Sequence, residues 1–160
     1  MNKTAREILG LIISIIFCFA AARIGAAFTT TEIGGWYAAL EKPSWNPPNW
    51  VFAPVWAFLY LTMAIAAWLV WRRRGFTAAA LPLTVFFIQL VFNVLWSILF
   101  FGLHSPGWAF ADILLLWCAI LATTVLFWRI VPAAGWLLLP YLLWVSFAAS
   151  LNLAIWKMNA

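Results

Sequence analysis

A chain of 160 residues that is 68% hydrophobic and only 8% charged cannot cover a soluble fold, which runs near half apolar and about a quarter charged. Its net charge of +5 comes from basic residues at the ends of apolar runs, the pattern of membrane topology and not a nucleic-acid footprint. Backbone groups in lipid must be satisfied internally by helices or a closed barrel, and runs of about twenty apolar residues without the alternation of barrel strands select helices. The chain reads as one all-α membrane domain over 1–160, a bundle of five transmembrane helices with a long structured first extramembrane loop.

The first span is predicted over 7–28, preceded by Lys3 and Arg6 and with Arg23 near its end. A secretory signal peptide is the rival reading, because Ala20-Ala21-Ala22 imitates a cleavage site; a helix that carries on to Phe28 is long enough to span. The loop over 29–49 follows. The stretch Trp36–Trp56 (WYAALEKPSWNPPNWVFAPVW) holds four tryptophans and four prolines. Each proline lacks an N–H and fixes φ, and the residues before Pro43, Pro47, Pro48 and Pro54 are pushed toward extended conformations. Flexible connectors are rich in Gly and Ser instead, so this segment reads as a stiff aromatic lid.

Further spans are predicted over 50–71, closed by Arg72-Arg73-Arg74-Gly75, and over 78–101, with Pro82 in its first turns. Gly102–Gly107 turns the chain into a span over 108–129, and Pro132 and Gly135 mark the turn into the last, 136–156. Short links make these last spans antiparallel neighbours. With Lys3, Arg6, Arg72, Arg73, Arg74 and Arg129 cytoplasmic, the amino terminus lies inside and the lid and carboxyl terminus face the other side.

Six tryptophans at predicted helix ends, Trp50, Trp71, Trp108, Trp128, Trp136 and Trp156, fit an interfacial belt. Trp56, Trp96, Trp117 and Trp144 lie deeper, where an indole N–H needs a polar contact or a cavity. Trp117, on a leucine-rich stretch, reads as facing lipid or core. Gln89, Asn93 and Ser97 stack along one helical face, either as an interhelical hydrogen-bond ladder or as a wall that orients a ligand's polar edge. Asp112 is the one acid well inside a span, a functional candidate by position and equally a helix-dipole and capping partner. Ser146, Ser150 and Asn152, with Ala148 and Ala149, permit close helix approach or leave room for a flat ligand beside Trp144. Ala78, Ala79 and Ala80 read as close-contact residues for a second copy. Cys18 and Cys118 read as buried free thiols.

One histidine, His104, in a short loop excludes a bis-histidine haem site, and a hydrolytic triad has no base within the membrane. No phosphate loop, metal cluster or group of ion-coupling acids is present, and five spans without paired halves do not fit an inverted-repeat transporter. What remains is an apolar, aromatic, weakly polar cavity under a stiff lid, suited to a flat hydrophobic ligand.

The residues carry a family resemblance. Trp36-Tyr37, Leu40, Lys42-Pro43-Ser44-Trp45, Pro47-Pro48, Pro54-Val55-Trp56 and Leu59-Tyr60 resemble the signature of the translocator protein family, whose bacterial members are called tryptophan-rich sensory proteins and whose mitochondrial members are peripheral-type benzodiazepine receptors. The likeness continues through Gln89-Leu90, Asn93, Trp96, Phe100-Phe101-Gly102, Gly107-Trp108-Ala109 and Ala111-Asp112, and closes with Pro140-Tyr141-Leu142, Trp144, Phe147-Ala148 and Leu151-Asn152. It implies a five-helix bundle, usually a homodimer, with the first loop folded over a ligand pocket. The implied ligands are tetrapyrroles such as protoporphyrin IX and haem, with sterols and synthetic isoquinoline carboxamides or benzodiazepines beside them; no cofactor is required. The implied pocket residues are Tyr37, Trp56, Asn93, Trp144 and Ala148, with Trp36, Trp45, Pro47 and Trp96 from the lid and rim.

The family's animal members carry a cholesterol-recognition pattern late in the fifth helix, and the corresponding stretch here, Leu151–Lys157, lacks its tyrosine. The leading expectation is therefore a membrane receptor or carrier for porphyrins. One alternative is a light-dependent, tryptophan-assisted porphyrin-degrading enzyme using Trp56 and Trp144. Another is a ligand-regulated signalling scaffold.

Overall fold

The computed structural model describes residues 2–160. Helix α1 covers Lys3–Glu32, capped where the Asn2 side chain accepts from the Ala5 N–H at 2.8 Å. The lid between α1 and the next long helix holds a short helix, α2 (Trp36–Ala39), and a 3-10 turn at Asn49–Val51. The remaining helices are α3 (Phe52–Ala78), α4 (Ala80–Ser97), α5 (Pro106–Ile130) and α6 (Pro132–Met158), and α4 runs on through a wide π turn at Ile98–Gly102. No strand occurs among the described residues. Five helices are long and apolar enough to cross a membrane, so the chain is a multi-pass integral membrane protein.

Several helices exceed their predicted bounds for identifiable reasons. Thr29, Thr30 and Thr31 extend α1 to Glu32 because their hydroxyls donate back to the carbonyls of Gly25, Ala26 and Phe28 at 2.8–3.1 Å. At 1.5 Å per residue α1 is about 45 Å long, beyond the roughly 30 Å hydrocarbon core, so its last turns reach the lid. Pro106 and Pro132 each open a helix, because a proline at the first helical position loses no internal hydrogen bond. Gly135, expected in a turn, is inside α6, where an added Cβ would fall 2.5 Å from Trp128.

The alanine run is divided. Helix α3 kinks at Gly75, whose φ of 72° glycine adopts without steric cost, and ends at Ala78. Ala79 lies between the helices with no exposed surface, so it is core of this chain and not a contact for a second copy.

Around the bundle the order is α1, α3, α6, α5, α4 and back to α1. Links of Leu103–Ser105 and of Val131 alone make α4, α5 and α6 antiparallel neighbours. Helix α1 packs along α3 and α4 and buries Cys18 completely. Cys118, expected to be buried, is exposed on the outer side of α5. The lid and the carboxyl terminus meet at one end of the bundle, where Asn159 pairs with Glu41.

Candidate functional site

Beneath the lid, the ends of four helices enclose a cavity of about 370 Å³. Its walls come from α1 between Phe19 and Ile33, from Asn49 to Tyr60 at the start of α3, from Asn93 to Phe101 in α4, and from Trp144 to Ile155 in α6; Tyr37 of the lid lines it too. Helix α5 contributes nothing to the lining.

Six of the expected residues converge there: Tyr37, Trp56, Asn93, Trp96, Trp144 and Ala148. The other three are absent from the lining: Trp36 and Trp45 hold the lid to the rim, and Pro47 is bonded within the lid. Trp36 stacks on His104 with centroids 4.4 Å apart and meets Phe100 edge-on at 5.6 Å. Trp45 packs edge-on against Phe147 at 5.8 Å. The Pro47 carbonyl accepts from the Asn46 amide at 3.1 Å. His104 also reaches Glu32 at 3.0 Å, so one imidazole joins the end of α1, the lid and the α4–α5 turn. Its φ of 49° lies in the left-handed region, an uncommon conformation for a side-chain-bearing residue.

A buried polar chain floors the cavity. The Tyr60 hydroxyl donates to the Asn93 side-chain oxygen, and the Asn93 amide donates to the Tyr141 hydroxyl at 2.9 Å. Tyr141 donates to the Gln89 oxygen at 2.8 Å, and the Gln89 amide points at the Met63 sulfur at 3.8 Å. The interhelical ladder therefore holds at Asn93, which ties three helices together and also lines the cavity. Ser97, the third member of the ladder, stands apart: it lies against α1, where a Cβ on Gly25 would come within 3.1 Å of its hydroxyl. All three tyrosines of the chain belong to the lid, wall or floor of the site. On the lid, the Tyr37 hydroxyl donates to Asn46 at 3.1 Å; burial pushes this phenol up, and the hydrogen bond acts in the opposite direction.

The deep tryptophans find partners. Trp96 donates to Asn152 at 2.9 Å, whose amide donates to the Pro106 carbonyl at 2.8 Å, joining α4, α6 and the start of α5. Trp117, expected to face lipid or core without a polar neighbour, donates to Ser146 of α6 at 2.8 Å. Spans adjacent in space supplied what the local sequence lacked. Asp112 is buried with neither carboxyl oxygen hydrogen-bonded among the described residues. It lies in the second turn of α5, past the first turn in which a helix dipole acts, so it is no cap.

Of the belt tryptophans, Trp50, Trp108 and Trp136 are 60–75% exposed. Trp71 instead fills the space over Gly10. Sequence reasoning also passed over Tyr60, Phe100 and Arg23 as lining residues. Tyr60 and Arg23 were visible as a phenol and a cation inside apolar runs, side chains that need a polar outlet.

The TspO/MBR family model matches residues 14–157, from α1 through the lid to the end of α6. The chain belongs to the TspO/MBR family. The human translocator protein is 44% identical over 138 residues, 85% of this chain and 82% of that protein. The tryptophan-rich protein TspO of Archaeoglobus fulgidus is 42% identical over 154 residues, 96% of this chain and 99% of that protein. The tryptophan-rich sensory protein of Cereibacter sphaeroides is 38% identical over 142 residues, 89% and 86% of the two chains. The family model's match thus takes in residues of all five membrane helices.

Proposed function

We propose that this membrane protein is a receptor or carrier for porphyrins such as protoporphyrin IX and haem, with a sensory, regulatory or transport role. The observation that carries the reading is the cavity itself: about 370 Å³, bounded by Trp56, Trp96, Trp144 and Tyr37, with Asn93 and Tyr60 as its polar floor. Apolar burial and stacking on the indoles supply most of the affinity, and the lid governs exchange. The reading includes a cytoplasmic amino terminus, with lid and carboxyl terminus on the opposite face, supported by the cations at the ends of α1, α3 and α5. It also includes a homodimer, whose contact would use lipid-facing surface and not Ala79. Sterols and isoquinoline carboxamide or benzodiazepine ligands would occupy the same space.

Titration of protoporphyrin IX into the purified protein, followed by tryptophan quenching, tests this. Ala148→Phe fills the cavity and should weaken binding at least tenfold; an unchanged affinity in a folded variant overturns the assignment. A photo-oxidative activity is the second reading, favoured by Trp56 and Trp144 both facing the cavity. It requires a defined light-dependent product that Trp144→Phe abolishes.

A further inference from the structure

The cavity wall is made of apolar groups, hydroxyls and amides, with one exception. Among the described residues, Arg23 is the only charged side chain that lines it. It sits on α1, nine residues before that helix ends at Glu32, so about 13 Å below the end at 1.5 Å per residue. A guanidinium keeps its proton under all ordinary conditions, and Arg23 is exposed at the cavity wall with its charge unpaired among the described residues.

No anion to pair with it is supplied by the described residues. The ion pairs among the described residues are Arg72 with Glu7 and His104 with Glu32, and Arg23 takes part in neither. Glu32, on the same helix, is engaged by His104. Glu41 is in the lid but outside the cavity lining, its backbone held by Asn159. Asp112 belongs to α5, which does not reach the cavity. Trp56 of α3 and Trp144 of α6 line the same cavity. An oily slot with one fixed cation at its edge has the recognition pattern of a flat hydrophobic acid: ring on the indoles, acid on the guanidinium, whose planar donors match a carboxylate in pairs.

We infer that Arg23 is the specificity-determining residue of this cavity, pairing with an anionic group of the ligand and so fixing which edge of a flat hydrophobic molecule faces α1. This rests on the cavity being the binding site, as proposed above. The same anionic chemistry is available from a lipid headgroup phosphate, and the test separates the two sources.

Protoporphyrin IX and its dimethyl ester share a ring and differ in charge. Both are titrated by tryptophan quenching into the parent, Arg23→Gln and Arg23→Lys proteins, in nanodiscs of neutral phosphatidylcholine and in nanodiscs containing phosphatidylglycerol. The expected result is that the parent prefers the free acid about tenfold, the worth of one charge-assisted hydrogen bond. Arg23→Gln should lose that preference by weakening the acid alone, and Arg23→Lys should keep part of it. Unchanged ester binding in Arg23→Gln shows that the cavity is intact.

Acid and ester binding equally to the parent, or falling together in Arg23→Gln, overturns the role of Arg23 and leaves the cavity assignment standing. An effect confined to anionic nanodiscs overturns it in favour of a headgroup contact. Failure of the parent to bind either compound overturns the cavity assignment, and this inference with it.

Discussion

The side chain of Asn159 pairs with the backbone of Glu41 on both sides: its oxygen accepts from the Glu41 N–H at 3.0 Å and its amide donates to the Glu41 carbonyl at 2.9 Å. The pair spans 118 positions of sequence and fastens the middle of the lid to the last turn of α6. Asn159 therefore does for the lid what a neighbouring strand would do, with a single side chain.

Replacing Asn159 with Ala removes both bonds. Each is worth about 1 kcal/mol at most in so exposed a place, so the global unfolding temperature should move little. Amide exchange across 40–46 should accelerate and ligand release should become several-fold faster. Hydrogen-exchange mass spectrometry and stopped-flow quenching check this; unaltered exchange would mean that the lid is held elsewhere.

Asn93→Ala should act on both fold and site. It strands the hydroxyl of Tyr60 in the interior and takes from Tyr141 one of its two partners, the bond to Gln89 remaining, and a buried unpaired polar group costs about 1–3 kcal/mol. Tyr60→Phe removes one donor without stranding a tyrosine hydroxyl, and its loss should lie near the 0.6 kcal/mol average for hydrogen bonds in membrane proteins, within about 1 kcal/mol. Thermal unfolding in detergent should place Asn93→Ala below Tyr60→Phe, with the parent highest.

Gly10 is where α1 meets Trp71 of α3, and an added Cβ would lie 2.1 Å from the indole ring. Gly10→Ala should therefore destabilise by about 1–3 kcal/mol, the usual cost of overpacking. Combining it with Trp71→Leu should recover most of the loss, a coupling that thermal unfolding of the single and double variants measures.

His104 and Trp36 make the second fastening of the lid. The His104–Glu32 pair is 43% and 28% exposed, so its ionic part contributes under about 1 kcal/mol. The half-buried Trp36 ring, against Phe100 as well as His104, should matter more. Trp36→Ala should raise exchange in the lid beyond what His104→Ala does, and the reverse order would make the imidazole the principal clasp.

The five spans were legible because twenty apolar residues in a row have few other fates. The lid was legible because four prolines and four tryptophans do not describe a flexible tether. Helix ends were less so: a threonine run that satisfies itself, as at Thr29–Thr31, looks like a loop in sequence. Partners supplied by another helix were not legible at all. Nothing near Trp117 announces Ser146, and nothing near Glu41 announces Asn159, because each pairing is decided by which faces the bundle brings together. Six of nine expected site residues line the cavity because their spacing put them on inward faces near one end. Trp36 and Trp45 belong to the lid's attachment and Pro47 to its interior, a distinction that only three-dimensional proximity makes.

The lining of the cavity stops at Tyr60 and Asn93, and beyond them Met63, Val70, Phe86, Phe127 and Leu138 are packed with almost no exposed surface. The cavity thus has a solid base, and passage from it to the other end of the bundle would require that base to come apart. A binding protein of this build would hold its guest near the lid, and loosening the fastenings at Glu41 and His104 should shorten the guest's stay.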